Sequence, residues 1–201
     1  MSPRARIPCR LMHAFAAAAA LLQGAAGTAQ QITHHDTPGS LQGQQPLACG
    51  SSAVLKNTDT PPDIYAGMIA CAQDARYAEG VYFFALAGAY SYFDAERVAD
   101  ETARQGRTVL LQRSLGALDV PVKNAFLKEV SSTLDNPAKL FGVCEELRRI
   151  GFPQYEPTYM IRHGMGAAPG SNATSNGLIA NFDAAAGWNK ALADYLHCPR
   201  P

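Results

Sequence analysis

Residues 60–90 read TPPDIYAGMIACAQDARYAEGVYFFALAGAY, and the pattern in this stretch predicts two consecutive helices. Pro61 suits the first turn of a helix, where no N–H is needed, and Asp63 lies near the positive end of the helix dipole. The first helix is expected to end near Gln73. Residues 77–90 are apolar on nearly every side, which is typical of a helix buried by its neighbours. The core of the protein is therefore expected around this helical pair.

Residues that commonly cap helix N-termini recur along the rest of the chain. The predicted caps are Asp94, Asp119, Asn136 and Asp183. The helix that begins at Asp94 is expected to continue to Leu118 with a bend at Gly106, and Gly151 is predicted to end the helix that follows Asn136. We therefore predict an all-α protein with about six helices in one compact domain and no strand.

Length and composition agree with a single domain. The 201 residues are 47% hydrophobic and 17% charged, and the formal net charge is zero. A chain of this length supports one packed core more readily than two. Proteins that bind nucleic acids normally show a basic excess or a basic stripe, so we expect no nucleic-acid partner.

The N-terminus has the pattern of a secretory signal peptide. Three arginines precede an apolar run over residues 11–22, and small residues then lead to Ala29, where cleavage is expected. The run is shorter than the roughly 20 residues that a membrane-spanning helix needs. Removing residues 1–29 takes three of the 17 basic residues, which leaves 14 against 17 acidic residues. We expect a mildly acidic, periplasmic or secreted protein without a membrane span after signal cleavage.

Four of the five cysteines follow the predicted cleavage position: Cys49, Cys71, Cys144 and Cys198. An even number in an exported protein predicts two disulfides, because an oxidising compartment lets them form and persist. The wide spacing of the cysteines does not favour a zinc site. Cys71 and Cys144 both lie on inward-facing helix faces, which favours a bridge between them. The second predicted bridge then joins Cys49 to Cys198.

The predicted mature chain has two parts. Residues 30–59 are rich in Gln, Gly, Thr and Pro and show no apolar period, so we expect a flexible lead-in. The helical domain is expected over residues 60–198. Inside it, residues 152–181 contain three prolines and several glycines, which predicts a long irregular loop with an ordered first half and a mobile second half. Loops of this length are often functional or disordered.

The segment PQYEPTYMIRHGMG, residues 153–166, concentrates aromatic and polar side chains in this loop. Tyrosine and arginine dominate the energetics of protein interfaces, and exposed loops often carry binding sites. We therefore predict a surface that binds another protein. Its anchors are Tyr155, Tyr159, Arg162 and Met165. The alternative is a purely structural loop, in which the polar side chains bond backbone carbonyls and the tyrosines pack against the helices.

His163 supports a second hypothesis, a small periplasmic enzyme. Its imidazole titrates near neutral pH and could act as a general base, with Glu156 or Asp183 orienting it. The sequence contains no Gly-x-Ser-x-Gly elbow, phosphate-binding loop, dinucleotide fingerprint or His-Glu-x-x-His motif. A His-His-Asp run at residues 34–36 lies in the predicted lead-in, where a solvated linker is the expected role. We predict no metal or cofactor, and a non-enzymatic function is favoured.

The helical pair resembles a single tetratricopeptide hairpin over residues 63–90. Ala78, Tyr82 and Ala85 reproduce the spacing of the small and aromatic residues in the second helix of such a unit, and Ala66 matches the small residue of its first helix. The Trp and terminal Pro positions of the unit are not matched. No second copy occurs, and tandem copies are needed to build a binding groove. An ordinary packed helical hairpin is the alternative.

The whole chain resembles exported, cysteine-stapled helical proteins of bacteria, to which the periplasmic immunity proteins of antibacterial secretion systems are similar. The resemblance rests on the N-terminal signal, the helices and the four cysteines, and on no residue motif. It implies a partner protein in the periplasm and an immunity-type inhibitor of a toxin or enzyme. A structural factor in envelope assembly is a further alternative.

Overall fold

The computed structural model describes residues 37–167 and 176–199, and within them the chain is all-α, as predicted. The predicted signal peptide and the His-His-Asp run at residues 34–36 lie outside the described residues. The described part contains seven α-helices and three short 3₁₀ helices, and no helix in it is both long and apolar enough to cross a membrane. The α-helices are α1 (Pro61–Gln73), α2 (Tyr77–Arg97), α3 (Gly106–Gly116), α4 (Val120–Leu134), α5 (Pro137–Ile150), α6 (Thr158–Ile161) and α7 (Ala184–Tyr195), and the 3₁₀ helices are Ser52–Val54, Glu101–Gln105 and Met165–Ala167.

The core lies around α2, which contacts α1, α3, α4, α5 and α7. This central position confirms the prediction that residues 77–90 form a buried helix. At the crossing with α1, a Cβ atom on Gly67 would overlap the ring of Phe83, so glycine is required for the two helices to approach this closely. The large side chains with almost no exposure belong mainly to this pair and include Ile64, Tyr65, Met68, Phe83, Leu86, Tyr90 and Phe93.

The predicted helix from Asp94 to Leu118 is wrong. Asp94 lies inside α2, which continues to Arg97, and the chain then forms the 3₁₀ helix Glu101–Gln105 before α3 begins at Gly106. Asp94 does not cap a helix because its carboxylate is buried and accepts hydrogen bonds from two tyrosine hydroxyls far along the chain. Asp100 takes the capping role instead, since its side chain accepts a hydrogen bond from the backbone N–H of Thr102.

Local signals at the other helix ends are largely confirmed. The Asn136 side chain accepts from the first N–H groups of α5, and the Asp183 side chain accepts from the N–H of Ala186 in α7. Gly151 follows α5 with a φ of +87°, the left-handed region that favours glycine. Asp119 stands at the N-cap position of α4 without a side-chain capping bond.

The two predicted disulfides are present, but the predicted pairing is wrong. The bridges are Cys49–Cys71, with Cα atoms 4.7 Å apart, and Cys144–Cys198, with Cα atoms 5.8 Å apart. Cys49 meets Cys71 because the chain before it lies along α1. The backbone N–H of Leu47 donates to the carbonyl of Asp63 at 3.1 Å, which holds this segment beside the helix.

We call residues 37–49 the strap, because they cross α1 and reach α6. The sequence places them in the lead-in, and the structure packs two of them into the protein: Ser40 is 5% exposed and Leu41 is 4% exposed. Further along the predicted lead-in, Leu55 is also buried, and the carbonyl of Asn57 accepts from the N–H of Gln154 at 2.7 Å. The packed part of the chain therefore includes residues well before position 60.

The predicted irregular loop, residues 152–181, contains short ordered elements in its described part. Its first half forms α6 and the 3₁₀ helix Met165–Ala167. Beyond residues 168–175, which lie outside the described part, the chain pairs with the end of α2. The N–H of Ala99 donates to the carbonyl of Gly177 at 2.9 Å, and the N–H of Ile179 donates to the carbonyl of Arg97 at 2.8 Å.

Candidate functional site

A buried carboxylate supports the loop that the sequence singles out. Asp94 of α2 has no exposed surface. Its Oδ2 atom accepts hydrogen bonds from the hydroxyls of Tyr155, at 2.9 Å, and Tyr159, at 2.7 Å. Its Oδ1 atom accepts from Nε of Arg97 at 2.8 Å. We call these four residues the aspartate cluster, and they join α2 to the segment that contains α6.

The electrostatics of the aspartate cluster follow from its burial. Burial raises the pKa of the Asp94 carboxyl, whereas the Arg97 charge and the tyrosine hydrogen bonds act in the opposite direction. Burial also raises the pKa of the Tyr155 and Tyr159 hydroxyls well above the ordinary value, and the neighbouring Asp94 charge adds to this effect. Both tyrosines therefore remain protonated donors at neutral pH, as a buried carboxylate requires.

Arg97 fixes the backbone of the loop as well as the carboxylate. Its Nη2 atom donates to the carbonyl of Tyr155 at 2.9 Å. Its guanidinium group lies over two rings, 5.0 Å from the centroid of Phe93 and 5.3 Å from that of Tyr155. The side chain is only 11% exposed, so a single arginine satisfies the carboxylate, a backbone carbonyl and two aromatic faces inside the fold.

The four predicted anchors fall into two groups. Tyr159 is 3% exposed and Tyr155 is half-buried, and both hydroxyls point at Asp94. Arg162 is exposed immediately after α6, and Met165 is 76% exposed at the start of the next 3₁₀ helix. We call residues 162–165 the exposed edge after these two side chains, between which His163 is half-buried and Gly164 is buried. The structure thus exposes Arg162 and Met165, whereas the hydroxyls of Tyr155 and Tyr159 are used inside the fold.

Hydrogen bonds to the 3₁₀ helix Glu101–Gln105 and to its cap hold the exposed edge. The N–H of Gly166 donates to Oδ2 of Asp100 at 2.7 Å, and the N–H of Met165 donates to Oγ1 of Thr102 at 2.9 Å. Burial alone would raise the pKa of Asp100, but the hydrogen bonds from Thr102 and Gly166 outweigh it and lower the pKa. A Cβ atom on Gly164 would overlap the Asp100 carboxylate, so glycine is needed for this close approach.

The strap holds the same segment from the other side. The N–H of Leu41 donates to the carbonyl of Tyr159 at 3.0 Å, and Oγ of Ser40 lies 3.1 Å from Nδ1 of His163. The Arg162 guanidinium reaches the carbonyl of Pro38 at 3.5 Å. The backbone of residues 159–166 is therefore fixed by the aspartate cluster, by Asp100 with Thr102, and by the strap.

The structure separates His163 from its predicted catalytic partners. His163 is half-buried after α6 and lies against Ser40. Glu156 precedes α6 and is exposed at a surface cleft of about 410 Å³, which Asp59 and Asp63 also line and His163 does not. Asp183 is occupied as the N-cap of α7. The serine–histidine pair found instead joins residues 123 positions apart, and no local sequence signal indicates it.

Asp63, one carboxylate of that cleft, has structural partners of its own. Asp63 is 5% exposed, and its side chain accepts from the N–H of Gln45 at 2.8 Å and from the hydroxyl of Thr60 at 2.5 Å. Burial raises the pKa of Asp59. Over residues 37–167 and 176–199, no three His, Cys, Asp or Glu side chains are grouped so as to hold a metal ion.

Sequence reasoning missed the residues that build the site. Asp94, Arg97 and Asp100 place the loop, yet the sequence predicts Asp94 as a helix cap and assigns no role to the other two. Opposite charges at Asp94 and Arg97, near the end of a largely apolar helix, are the available signal, because such groups are buried only when they are paired. No family model, curated protein or solved structure matches this chain.

Proposed function

We propose that this chain is a protein-binding module that docks another protein through the exposed edge. The observation that carries the proposal is the state of Met165, whose side chain is 76% exposed on a backbone held by hydrogen bonds. Among the described residues it is the most exposed of the large hydrophobic side chains. Covering this side chain in a complex would remove apolar surface from water, which favours association.

The rigidity of the exposed edge favours binding. Association costs free energy when a loop must be ordered on contact, and a loop already held in place avoids part of that cost. Asp100 and Thr102 fix the backbone at residues 165 and 166, while Tyr159 fixes α6 directly before Arg162. Tyr155 and Tyr159 thus contribute to binding as support rather than through contact with the partner.

The chemistry of the two exposed anchors suggests the kind of surface that they meet. Arg162 offers a planar cation that pairs with carboxylates, and Met165 offers a flexible thioether that fits irregular apolar pockets. A complementary partner therefore presents an acidic group beside an apolar depression. Arginine is also among the residues that most often dominate interface energetics.

We further propose that the protein works outside the cytoplasm, in the periplasm or beyond. The signal-peptide pattern and the two disulfides support this location, because disulfides persist in oxidising compartments. The most specific version of the function is an immunity-type inhibitor of a toxin or enzyme. A structural factor in envelope assembly would use the same surface, and the identity of the bound partner separates the two.

The Ser40–His163 contact favours one enzymatic alternative. A hydroxyl 3.1 Å from an imidazole nitrogen is within the range of a nucleophile and its base. Ser40, however, belongs to the strap and is only 5% exposed, so a substrate could reach it only after the strap had moved. Docking requires no such movement, which is why we favour it.

Photo-crosslinking tests the proposed surface. Met165 is replaced by a photo-reactive methionine analogue, and the oxidised protein is irradiated with an envelope extract of its source. Val120 of α4, which is 62% exposed, is replaced in the control. We expect one discrete cross-linked protein from position 165 and none from position 120. Equal labelling from both positions would contradict the proposal.

A further inference from the structure

The Cys49–Cys71 disulfide differs from the other bridge in its accessibility. Cys49 is half-buried, whereas Cys71 and Cys144 have no exposure and Cys198 is 6% exposed. Of the four cysteine residues, Cys49 therefore has the most surface open to a thiol reagent from solution. This bridge attaches the end of the strap, residues 37–49, to α1. Reducing it would therefore remove one attachment of the whole segment.

The strap is attached at its two ends and is exposed between them. Residues 42–46 are all exposed, and they border an open surface groove of about 290 Å³. Strap residues including Gly43 and Pro46 line this groove together with Ile69 of α1 and Leu110 of α3. Apart from the disulfide, Asp63 provides the main anchor, through hydrogen bonds from the N–H groups of Gln45 and Leu47. A segment with many exposed residues has few buried contacts, so little free energy holds it in place.

The other end of the strap is attached to the exposed edge. Leu41 bonds the backbone of Tyr159, Ser40 contacts His163, and Arg162 reaches the carbonyl of Pro38. A strap that moves away removes these three contacts together. The aspartate cluster and Asp100 remain, so the segment after α6 becomes more mobile without unfolding.

We propose that the Cys49–Cys71 disulfide is a redox latch, whose reduction by a dithiol loosens the strap and with it the exposed edge. Weaker binding of a partner by the loosened edge rests on the proposed function. The loosening of the edge itself is independent of that function.

The chemistry is a two-electron thiol–disulfide exchange. A thiolate of the dithiol attacks Sγ of Cys49, the sulfur–sulfur bond to Cys71 breaks, and Cys71 leaves as a thiolate that takes up a proton. The second thiol of the reductant then attacks the mixed disulfide and releases Cys49, which is also protonated. The reductant ends as an intramolecular disulfide, and the protein ends with two thiols.

The Cys144–Cys198 disulfide provides the internal comparison. It joins α5 to the segment after α7, and both of its cysteines are buried. Arg148 of α5 also bonds the carbonyl of Pro199, so this end of the chain has a non-covalent attachment near the bridge. Neither cysteine belongs to the strap or to the exposed edge.

A titration with dithiothreitol tests the latch in the intact protein. Free thiols are alkylated and mapped by mass spectrometry, and amide hydrogen exchange is followed in the same samples. We expect Cys49 and Cys71 to be alkylated first. At that point, exchange over residues 38–41 and 159–166 should increase about tenfold while α5 is unchanged, as expected for local opening. Reduction of Cys144–Cys198 first, or unchanged exchange over residues 159–166, would overturn the proposal.

Two variants separate the latch from general destabilisation. Cys49→Ser with Cys71→Ala removes the latch, and Cys144→Ala with Cys198→Ala removes the other bridge. The proposal expects faster exchange over residues 159–166 only in the first variant, and equal increases in both would contradict it. If the first variant does not fold, the dithiol titration of the unaltered protein still shows whether reduction of Cys49–Cys71 loosens the exposed edge. Exchange is measured without a partner, so failure of the latch is distinguishable from failure of the docking proposal.

Discussion

The hydroxyl of Tyr159 donates a hydrogen bond of 2.7 Å to Oδ2 of Asp94, across 65 positions of sequence, and both side chains are buried. Through this bond the position of α6, and of Arg162 directly after it, depends on the central helix. Tyr155 bonds the same oxygen at 2.9 Å. The geometry of the exposed edge is therefore a property of the core.

Replacement of Asp94 by alanine tests this dependence. The change leaves Arg97 without its carboxylate and two buried hydroxyls without an acceptor. We expect the free energy of unfolding to fall by about 3–5 kcal/mol, the range for breaking a buried ion pair by removing one partner. Urea unfolding followed by circular dichroism measures it. Tyr159→Phe, which removes one hydrogen bond to a charged group, should cost about 1.5–3 kcal/mol. A loss below about 1 kcal/mol for Asp94→Ala would show that the cluster contributes little to stability.

The buried tyrosines predict a loss of stability at alkaline pH. Burial raises the pKa of Tyr65, Tyr155 and Tyr159 well above the ordinary value. Above pH of about 10 the unfolded chain releases these phenolic protons while the folded chain retains them, so stability falls as pH rises. Urea unfolding at a series of alkaline pH values measures the slope. Tyr159→Phe should reduce the slope, and an unchanged slope would contradict the assignment.

The lowered pKa of Asp100 leads us to expect a loss of stability as the pH falls. Its pKa is lowered in the folded protein by the hydrogen bonds that outweigh its burial. Its contribution is therefore complete above the unfolded value of about 3.9 and is lost as pH falls through the folded value. We expect the protection of the Gly166 amide against hydrogen exchange to decrease in that window. In Asp100→Asn the amide should be less protected at neutral pH and should lose this pH dependence. Equal protection in both proteins would exclude the role of Asp100.

Two glycine substitutions test the packing of the core against a matched control. Alanine at Gly67 places a methyl group against Phe83 at the crossing of α1 and α2. Overpacking of this kind costs about 1–3 kcal/mol. Gly142 in α5 has no atom within 4 Å of an added Cβ, so Gly142→Ala should stabilise the protein by about 0.5–1 kcal/mol. Thermal unfolding of both variants gives the comparison. Similar changes in both would contradict the close approach of α1 and α2.

Local signals in the sequence predicted the parts of the fold that depend on neighbouring residues. Asn136 and Asp183 cap helices, and Gly151 has the positive φ expected after a helix, because each role is decided within a few residues. Asp94 was misassigned as a cap, since its partners lie 61 and 65 positions away. The disulfide pairing failed for the same reason. Nothing near Cys49 in the sequence indicates that the strap lies along α1.

The structure shows which side chains of the predicted binding segment are exposed, and binding through them stays a prediction. Composition identified residues 153–166, and the structure exposes Arg162 and Met165 there. Composition alone could not distinguish Arg162 and Met165 from Tyr155 and Tyr159, because tyrosine serves equally well as an interface anchor and as a buried donor. Only the position of the Asp94 carboxylate decides between the two roles.

The most direct test of the docking surface is the affinity of the cross-linked partner for three forms of the protein, measured by titration calorimetry. The forms are the unaltered protein, Arg162→Ala with Met165→Ala, and a control with Val120→Ala and Lys139→Ala on α4 and α5. We predict that the first pair of substitutions weakens binding by at least about tenfold while the control binds like the unaltered protein. Unchanged affinity in the Arg162 and Met165 variant would show that the exposed edge is not the docking surface.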